Sequence, residues 1–154
     1  MKIKCGGVTP APNGWINIDA YKRKYTDKVV DLNKFPYPFE DSSIEEIECK
    51  CVLEHLLYPL DALIEFHRIL RKDGKLHLVV AFYNHPKIKR DITYFHNFSY
   101  DAIERSLEYY GHQDKYKIAY KKIHYSRVAL IRWKWLGHII PNYITFIEYI
   151  LKKQ

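Results

Sequence analysis

Two aspartates stand where a ligand could meet them, each at the end of a short apolar strand. Asp19 closes the run of residues 16–18, and Asp31 follows residues 29–30. In open α/β sheets, ligands bind in the crevice beyond the carboxyl ends of the strands. A further predicted strand runs into residues 52–56, Val-Leu-Glu-His-Leu, which supply a carboxylate and an imidazole. This arrangement is typical of a nucleotide site.

Strand and helix patterns alternate along the chain and predict the scaffold for these side chains. Short apolar runs bounded by glycine, proline or aspartate indicate strands, and apolar residues three and four apart indicate helices. The pattern predicts one α/β domain over residues 1–154, with a mostly parallel central sheet, helices on both of its faces and a helical C-terminal tail. The strands are predicted over residues 1–5, 15–19, 28–32, 46–51, 75–82 and 116–125, and the helices over 59–73, 99–110 and 141–153.

Two connections need separate treatment. Residues 6–14 join the first two strands, which is shorter than the dozen or more residues of a usual helical crossover. We expect a parallel pair with the crossover shortened to a loop, rather than an antiparallel pair. Residues 128–136 fit a hairpin strand and a helix about equally well.

Composition restricts the class of protein. Apolar residues make up 47% of the chain and charged residues 28%, which is typical of a globular domain. No apolar run approaches the roughly 18 residues of a membrane span, so we expect no transmembrane segment and a cytoplasmic protein. Three cysteines, Cys5, Cys49 and Cys51, form neither an even disulfide framework nor a complete zinc site, so we expect free thiols and no metal.

The net charge of +7 belongs to the second half of the chain. Residues 1–77 contain 12 Lys or Arg and 12 Asp or Glu, whereas residues 78–154 contain 13 and 6. A one-sided positive charge favours anionic partners such as nucleic acid, phosphorylated small molecules or a lipid surface. A solvated basic face that serves solubility explains the charge equally well.

An ordered series of motifs over roughly residues 1–100 resembles the class I S-adenosylmethionine-dependent methyltransferases. The resemblance is closest to the compact subgroup with a shortened first crossover, and it implies a Rossmann-like fold with S-adenosylmethionine as cofactor. The motifs are Cys5-Gly6-Gly7, Gly14-Trp15-Ile16-Asn17-Ile18-Asp19, Asp31-Leu32, Pro36-x-Pro38-Phe39-x-Asp41-x-Ser43, Val52-Leu53-Glu54-His55-Leu56 and Arg68-Ile69-Leu70-Arg71-Lys72-Asp73-Gly74-Lys75-Leu76.

The resemblance implies a role for each of several residues around the cofactor. The backbone at the glycine bend would approach its amino-acid tail, because glycine has no side chain to prevent close contact. Asp19 would accept the ribose hydroxyls. The residues implied in binding are Cys5, Gly6 and Gly7 at the tail, Asp19 at the ribose, Asp31 and Leu32 at the adenine, and Glu54 and His55 beside the methyl group.

Residues 91–99 resemble the family segment Asp-Pro-Thr-His-x-Arg-x-Phe-Thr, with Tyr94 in place of the histidine and His96 in place of the arginine. This segment would form a mouth over the site, where one imidazole among His55, His85 and His96 acts as a general base for a hydroxyl or amine acceptor. Lys4 also departs from the family, because it occupies the position of the first glycine of the cofactor loop.

Two functional hypotheses follow. The first is a methyltransferase that aligns an acceptor with the sulfonium methyl for in-line displacement, built from a cofactor-binding core (residues 1–98) and a basic C-terminal part (residues 99–154). The second is a degenerate methyltransferase-like module that binds nucleic acid through its basic half and Trp133 and Trp135. The apolar tail predicts a homodimer through residues 127–152, or less readily a contact of its helix with a membrane surface.

Overall fold

A mixed β-sheet forms the centre of the computed structural model, which describes residues 1–85, 88, 90–125 and 144–154. Seven strands lie within these residues, in the spatial order β3-β2-β1-β4-β5-β7-β6. The strands are β1 (Lys2–Cys5), β2 (Trp15–Asp19), β3 (Lys28–Val29), β4 (Ile44–Lys50), β5 (Leu70–Ala81), β6 (Tyr116–Tyr125) and β7 (Ile144–Lys153). The described helices are η1 (Leu53–His55), α1 (Pro59–Ile69), α2 (Ala102–Tyr109) and η2 (Gln113–Lys115), of which η1 and η2 are short 3₁₀ turns.

The first five strands are parallel, so their carboxyl ends meet at one edge of the sheet. β1 pairs in parallel with both β2 and β4, β2 with β3, and β4 with β5. The parallel pairing of β1 with β2 confirms that the first crossover is shortened to a loop. The segments after β1, β2, β4 and β5, which contain most of the candidate site residues, therefore begin at the same edge.

The C-terminal tail is a strand, and the helix predicted over residues 141–153 is wrong within the described part of the chain. β7 runs antiparallel to both β5 and β6. Ile147, Tyr149 and Leu151 are buried on one face, while Glu148 and Ile150 alternate with them on the other. Apolar residues occur at both odd and even positions of this segment, so their spacing also matches a helix by coincidence. The isoleucines and threonine of the segment favour a strand.

The position of β7 also removes the argument for dimerisation through the tail. A helical tail would leave a sheet edge open, which a second copy of the chain would cover. Instead β7 is hydrogen-bonded on both sides within the chain, and β6 is the edge strand. Residues 126–143, which contain the ambiguous segment 128–136 and the remainder of the predicted interface, lie outside the described residues.

The hydrophobic core lies on one face of the sheet. The register of the strands puts their buried apolar residues on the same side, and these residues form a single cluster with the apolar faces of α1 and α2. Two tyrosine hydroxyls connect the layers: Tyr116 donates to the carbonyl of Leu63 in α1, and Tyr149 donates to that of Tyr100 just before α2. Both described α-helices thus pack on this face, unlike the predicted arrangement with helices on both.

The opposite face of the sheet is polar in the described strands. In register across β2, β1, β4 and β5 it presents Asn17, Lys4, Glu48 and His77. His77 and His124 each contact one carboxylate oxygen of Glu148 through Nε2, at 2.6 and 2.8 Å. Strand alternation therefore separates an apolar core face from a polar face, as expected when one side is not buried under apolar helices.

Arg68, at the end of α1, fixes the loop before β4. Its Nη1 donates to the carbonyl of Phe39 and to Asp41 Oδ1, at 3.0 and 2.6 Å. Its Nη2 donates to the carbonyl of Tyr37 and to Glu65 Oε2, at 3.0 and 2.8 Å. These contacts raise the pKa of Arg68, mainly through its bonds to Glu65. The planar guanidinium thus connects α1 to the loop 37–41.

Replacement of Arg68 by lysine is expected to lower the free energy of unfolding by about 2 kcal/mol, because an ammonium cannot reproduce the forked set of hydrogen bonds. Urea denaturation measures the change. Arg105→Lys is the matched control, since the exposed pair of Arg105 with Asp101 contributes little to stability. Equal denaturation midpoints for the two variants would contradict the role given to Arg68.

Candidate functional site

The glycine bend after β1 lies directly against the end of β2. The Gly6 N–H donates to the carbonyl of Ile18 at 2.8 Å, with Gly6 at a φ of 102°, a conformation that favours glycine. The Gly7 N–H donates to Asp19 Oδ2 at 2.7 Å. A Cβ on Gly7 would lie 2.2 Å from the hydroxyl of Thr26, so no side chain fits there. The structure thus brings the glycine bend and Asp19 together.

Most of the hydrogen-bonding capacity of Asp19 is used within the chain. Besides Gly7, the N–H of Tyr21 donates to Oδ1 at 2.9 Å and Arg23 Nε donates to Oδ2 at 3.2 Å. Burial opposes ionisation, but these donors outweigh it and lower the pKa of Asp19 below its ordinary value. An ionised carboxylate accepts about four hydrogen bonds, so Oδ1 retains one site for a ligand hydroxyl.

Asp31 lies close by along the neighbouring strand. The register places Val29 beside Asp19, and Asp31 is two residues further on at the same edge. The N–H of Asn33 donates to Asp31 Oδ1 at 3.0 Å, and Lys34 Nζ lies 3.8 Å from Oδ2. The partly exposed carboxylate keeps further acceptor sites among the described contacts. Leu32 is buried, and its carbonyl accepts the hydroxyl of Tyr37.

Lys4 holds the cofactor loop from inside the fold. Its Nζ donates to the carbonyls of Gly6 and Thr9, at 2.9 and 3.1 Å, and the residue is buried. Asn17, beside it on β2, donates to the same Thr9 carbonyl at 2.8 Å. The lysine that replaces a family glycine therefore fixes the backbone of the loop that stands in for a crossover helix. The sequence alone showed Lys4 only as a departure from the family.

Cys5 contributes no side chain to the crevice. Its thiol is on the core face, where Cys5 pairs in register with Cys49, and both residues are buried. A hydrogen bond from the Cys49 thiol to Cys5, together with burial, raises the pKa of Cys49 well above its usual value. Contact of Cys5 with a cofactor would therefore involve its backbone.

Glu54 joins three segments at the carboxyl edge. Its side chain is fully buried, and Oε1 accepts the N–H of Ala81 at the end of β5, at 3.2 Å. Its carbonyl accepts the N–H groups of Phe95 and His96, at 2.9 and 3.2 Å. These bonds hold segment 91–98 over η1. The resemblance implied only that this segment lies over the site.

The second carboxylate oxygen of Glu54 is the feature that fits a cationic ligand. Oε2 is buried and has no hydrogen-bond partner within the described part of the chain. Burial raises the pKa of Glu54 above its ordinary value, against the smaller effects of the backbone bonds and His55. A buried acceptor without a partner is costly, and a cation is a suitable partner. The ammonium or sulfonium of S-adenosylmethionine meets this requirement.

His55 is held in one tautomer by its neighbours. Its Nδ1 lies 3.0 Å from the carbonyl oxygen of Thr93 and 2.9 Å from Thr93 Oγ1. That hydroxyl donates to Asp91 Oδ1 at 2.6 Å, so it accepts from the imidazole. A carbonyl oxygen only accepts. Nδ1 therefore carries the hydrogen, and in the neutral ring Nε2 carries the lone pair. Sequence reasoning missed this relay, although Asp91 and Thr93 are two of the family positions that it matched.

Tyr94 lies beside His55, with ring centroids 4.3 Å apart in an edge-on arrangement. Burial, with smaller effects of Glu54, Cys51 and Asp91, raises the pKa of Tyr94 to about 12. Tyr94 is thus a neutral hydroxyl at neutral pH, in the position where the family has a histidine.

The other two candidate histidines are placed differently. His96 Nε2 lies 3.4 Å from the carbonyl of Leu57, so it adjoins η1 but points its nitrogen at the backbone. His85 is buried against the ring of Phe146 on β7, with centroids 4.7 Å apart. The structure brings His55 and His96 to the Glu54 edge and leaves His85 beside β7.

Comparison with known proteins bears on the fold. A family model described as a methyltransferase domain matches residues 15–78. A search of curated proteins gives no significant match. An S-adenosylmethionine-dependent methyltransferase from Mesorhizobium loti is 11% identical, with a TM-score of 0.66 over 99% of this chain and 90% of that chain. The Haloferax volcanii protein solved in complex with the Trm112 methyltransferase activator is 12% identical, with a TM-score of 0.67 over 99% and 82%.

At sequence identities this low, structural similarity is evidence for the fold alone. The [4+2]-cyclase SpnF is 12% identical, with a TM-score of 0.67 over 99% of this chain and 73% of that chain. It has a similar fold, but its name states a cyclisation and no methyl transfer, so the fold alone does not define the reaction. The family model covers β2, η1 and α1 with their motifs. This sequence match and the shared fold make the chain similar to the class I S-adenosylmethionine-dependent methyltransferases.

The raised pKa of Glu54 gives stability a defined pH dependence. Below the ordinary value of 4.5 the carboxyl is neutral in folded and unfolded chains, and the folded state loses stability as pH rises through the folded pKa. Without a ligand, Glu54→Gln is therefore expected to raise the free energy of unfolding at about pH 8 relative to the parent protein, and the difference should vanish near about pH 4. Urea denaturation at both pH values measures it. A constant difference at both pH values would refute the assignment.

Proposed function

We propose that this protein transfers the methyl group of S-adenosylmethionine to a hydroxyl or amine whose proton is accepted by His55. The observation that carries the proposal is the fixed tautomer of His55: Thr93 and Asp91 hold the hydrogen on Nδ1 and leave Nε2 as the base. The imidazole adjoins Glu54 at the edge where the family binds its cofactor.

Four groups support the placement of the cofactor. The glycine bend offers close backbone approach at Gly6, and Oδ1 of Asp19 has capacity for one ribose hydroxyl. Asp31 has free acceptor sites toward an adenine amino group. Glu54 has an unpaired buried oxygen for a cationic group. When bound, S-adenosylmethionine supplies a methyl group on a positively charged sulfur, which is a strong electrophile.

His55 and its neighbours have simple tasks in this reaction. Bound S-adenosylmethionine would offer its methyl carbon to the acceptor, with the electron pair of the broken carbon–sulfur bond left on sulfur. His55 Nε2 takes the proton of the acceptor, and the Thr93 contacts keep the ring in the required orientation. Proximity and alignment provide much of the lowering of the barrier, so few catalytic groups are needed.

The alternative of a nucleic-acid-binding module gains no support from the comparisons. Trp133 and Trp135, on which it depended, lie outside the described residues. The positive charge of the second half of the chain remains consistent with an anionic acceptor.

Saturable stabilisation by S-adenosylhomocysteine, measured by thermal shift and calorimetry, tests the cofactor site. Asp31→Ala is expected to weaken binding by roughly tenfold, because about one hydrogen bond to the adenine is lost. Asp61→Ala, at an exposed aspartate in the first turn of α1, is the matched control and should bind as the parent protein does. No binding by the parent protein would overturn the proposal.

The tautomer of His55 is testable without an acceptor. Nitrogen-15 NMR of the imidazole should show the hydrogen on Nδ1 in the parent protein, because both contacts of Nδ1 are acceptors. Thr93→Val removes the hydroxyl and should shift the ring toward a mixture of tautomers. His112, outside this site, provides an internal control whose signal should not change. Hydrogen predominantly on Nε2 of His55 in the parent protein would exclude Nε2 as the base.

A further inference from the structure

We infer that Arg23 occupies the second acceptor position of Asp19 for a ribose diol, so that the protein holds the ribose of its cofactor with one hydrogen bond instead of two. Arg23 then limits the affinity for adenosine ligands at the place where the proposed function, on which this inference rests, puts the ribose.

The two carboxylate oxygens of Asp19 are occupied unequally. Oδ2 accepts the N–H of Gly7 at 2.7 Å and Nε of Arg23 at 3.2 Å. Among the described contacts, Oδ1 accepts only the N–H of Tyr21, at 2.9 Å. Each oxygen of an ionised carboxylate has about two acceptor sites. Oδ2 is therefore full, and one site remains on Oδ1.

A ribose presents two neighbouring hydroxyl groups, and both can donate to one carboxylate only when each of its oxygens has a free site. The Gly7 N–H belongs to the glycine bend and is fixed by the backbone, so Arg23 is the partner of Oδ2 that can leave. Its side chain is 48% exposed, and an ion pair at this exposure contributes little to stability. The guanidinium also lies over the ring of Tyr21, 5.7 Å from its centroid, which favours its position beside Asp19.

The turn after β2 does not depend on the guanidinium of Arg23. The backbone N–H of Arg23 donates to Thr26 Oγ1 at 3.1 Å, and its carbonyl accepts the N–H of Thr26 at 3.3 Å. Thr26 Oγ1 donates to the carbonyl of Tyr21 at 3.1 Å, and Lys22 Nζ donates to that of Thr26 at 2.7 Å. These bonds remain when the guanidinium is removed, so its contact with Asp19 can be tested without loss of the turn.

A weaker hold on the ribose affects the cofactor and its product alike. The ribose is common to S-adenosylmethionine and S-adenosylhomocysteine, whereas only the first has a positive charge on sulfur. The buried Oε2 of Glu54 is suited to a cation and is unaffected by Arg23. The contact of Arg23 with Asp19 therefore favours release of the product without lowering the contribution of Glu54.

No helix in the described part of the chain is long and apolar enough to cross a membrane.

Calorimetric titration with S-adenosylhomocysteine tests the role of Arg23. Arg23→Met keeps an unbranched side chain without a donor, and it is expected to bind about fivefold more tightly than the parent protein, because one more hydrogen bond forms to Asp19. The matched control is Lys24→Met, which removes a positive charge from the next residue, whose Nζ lies over the ring of Tyr25. This control should bind as the parent protein does.

The 2′-deoxy and 3′-deoxy analogues of S-adenosylhomocysteine identify the hydrogen bonds. Only one of the two should bind the parent protein more weakly than S-adenosylhomocysteine does, because one hydroxyl has no acceptor site on Asp19. Both should bind Arg23→Met more weakly. Carbon-13 NMR of Asp19 without ligand should show a higher pKa in Arg23→Met, since the ion pair and hydrogen bond that lower it are lost.

Each outcome has a definite meaning. Unchanged or weaker binding by Arg23→Met, an equal gain in both variants, or weaker binding of both deoxy analogues to the parent protein would overturn the inference alone. An unchanged pKa of Asp19 in Arg23→Met would overturn it without any ligand. Failure of the parent protein and both variants to bind S-adenosylhomocysteine would overturn the proposed function and this inference together. Urea denaturation checks that both variants are folded.

Discussion

The hydrogen bond from the Gly7 N–H to Asp19 Oδ2 is the contact on which the carboxyl edge of the first two strands depends. It joins the bend after β1 to the end of β2, and it exists only because a residue without a side chain lets the backbone approach. The same carboxylate then organises the following turn through Tyr21 and Arg23. One charged group thus fixes two loops and keeps a single acceptor site for a ligand.

The short loop after β1 shows how a fold replaces a missing helix. A crossover helix satisfies its own backbone groups, whereas a loop over a sheet must find partners elsewhere. Lys4 and Asn17 donate to the loop carbonyls from the polar face of β1 and β2. Polar residues in central strands, unusual in a doubly covered sheet, are explained by this task.

At the other side of the edge, Glu54 has a comparable organising role. Its backbone carbonyl holds segment 91–98, its Oε1 holds the end of β5, and its Oε2 has no described partner. A buried carboxylate with one oxygen unpaired is costly to stability, and groups of this kind are common at functional sites. His55, the next residue, is oriented by the segment that Glu54 positions.

The parallel strands and the aspartates that follow them were predictable from the amino-acid sequence, because the strand endings at Asp19 and Asp31 are local patterns of burial and turn chemistry. The glycine bend and the segment of residues 91–99 were predictable in the same way. That β7 is a strand depends on its neighbours in the fold. The spacing of its apolar residues fits a helix and a strand equally, and β5 and β6 supply hydrogen-bonding partners on either side. The contacts of Lys4 with the loop carbonyls, and the contact of His55 with Thr93 that His85 and His96 lack among the described contacts, also emerge only from the folded chain. These outcomes depend on contacts between residues far apart in the chain, such as His55 with Thr93, and a local pattern contains no information about which distant groups will meet.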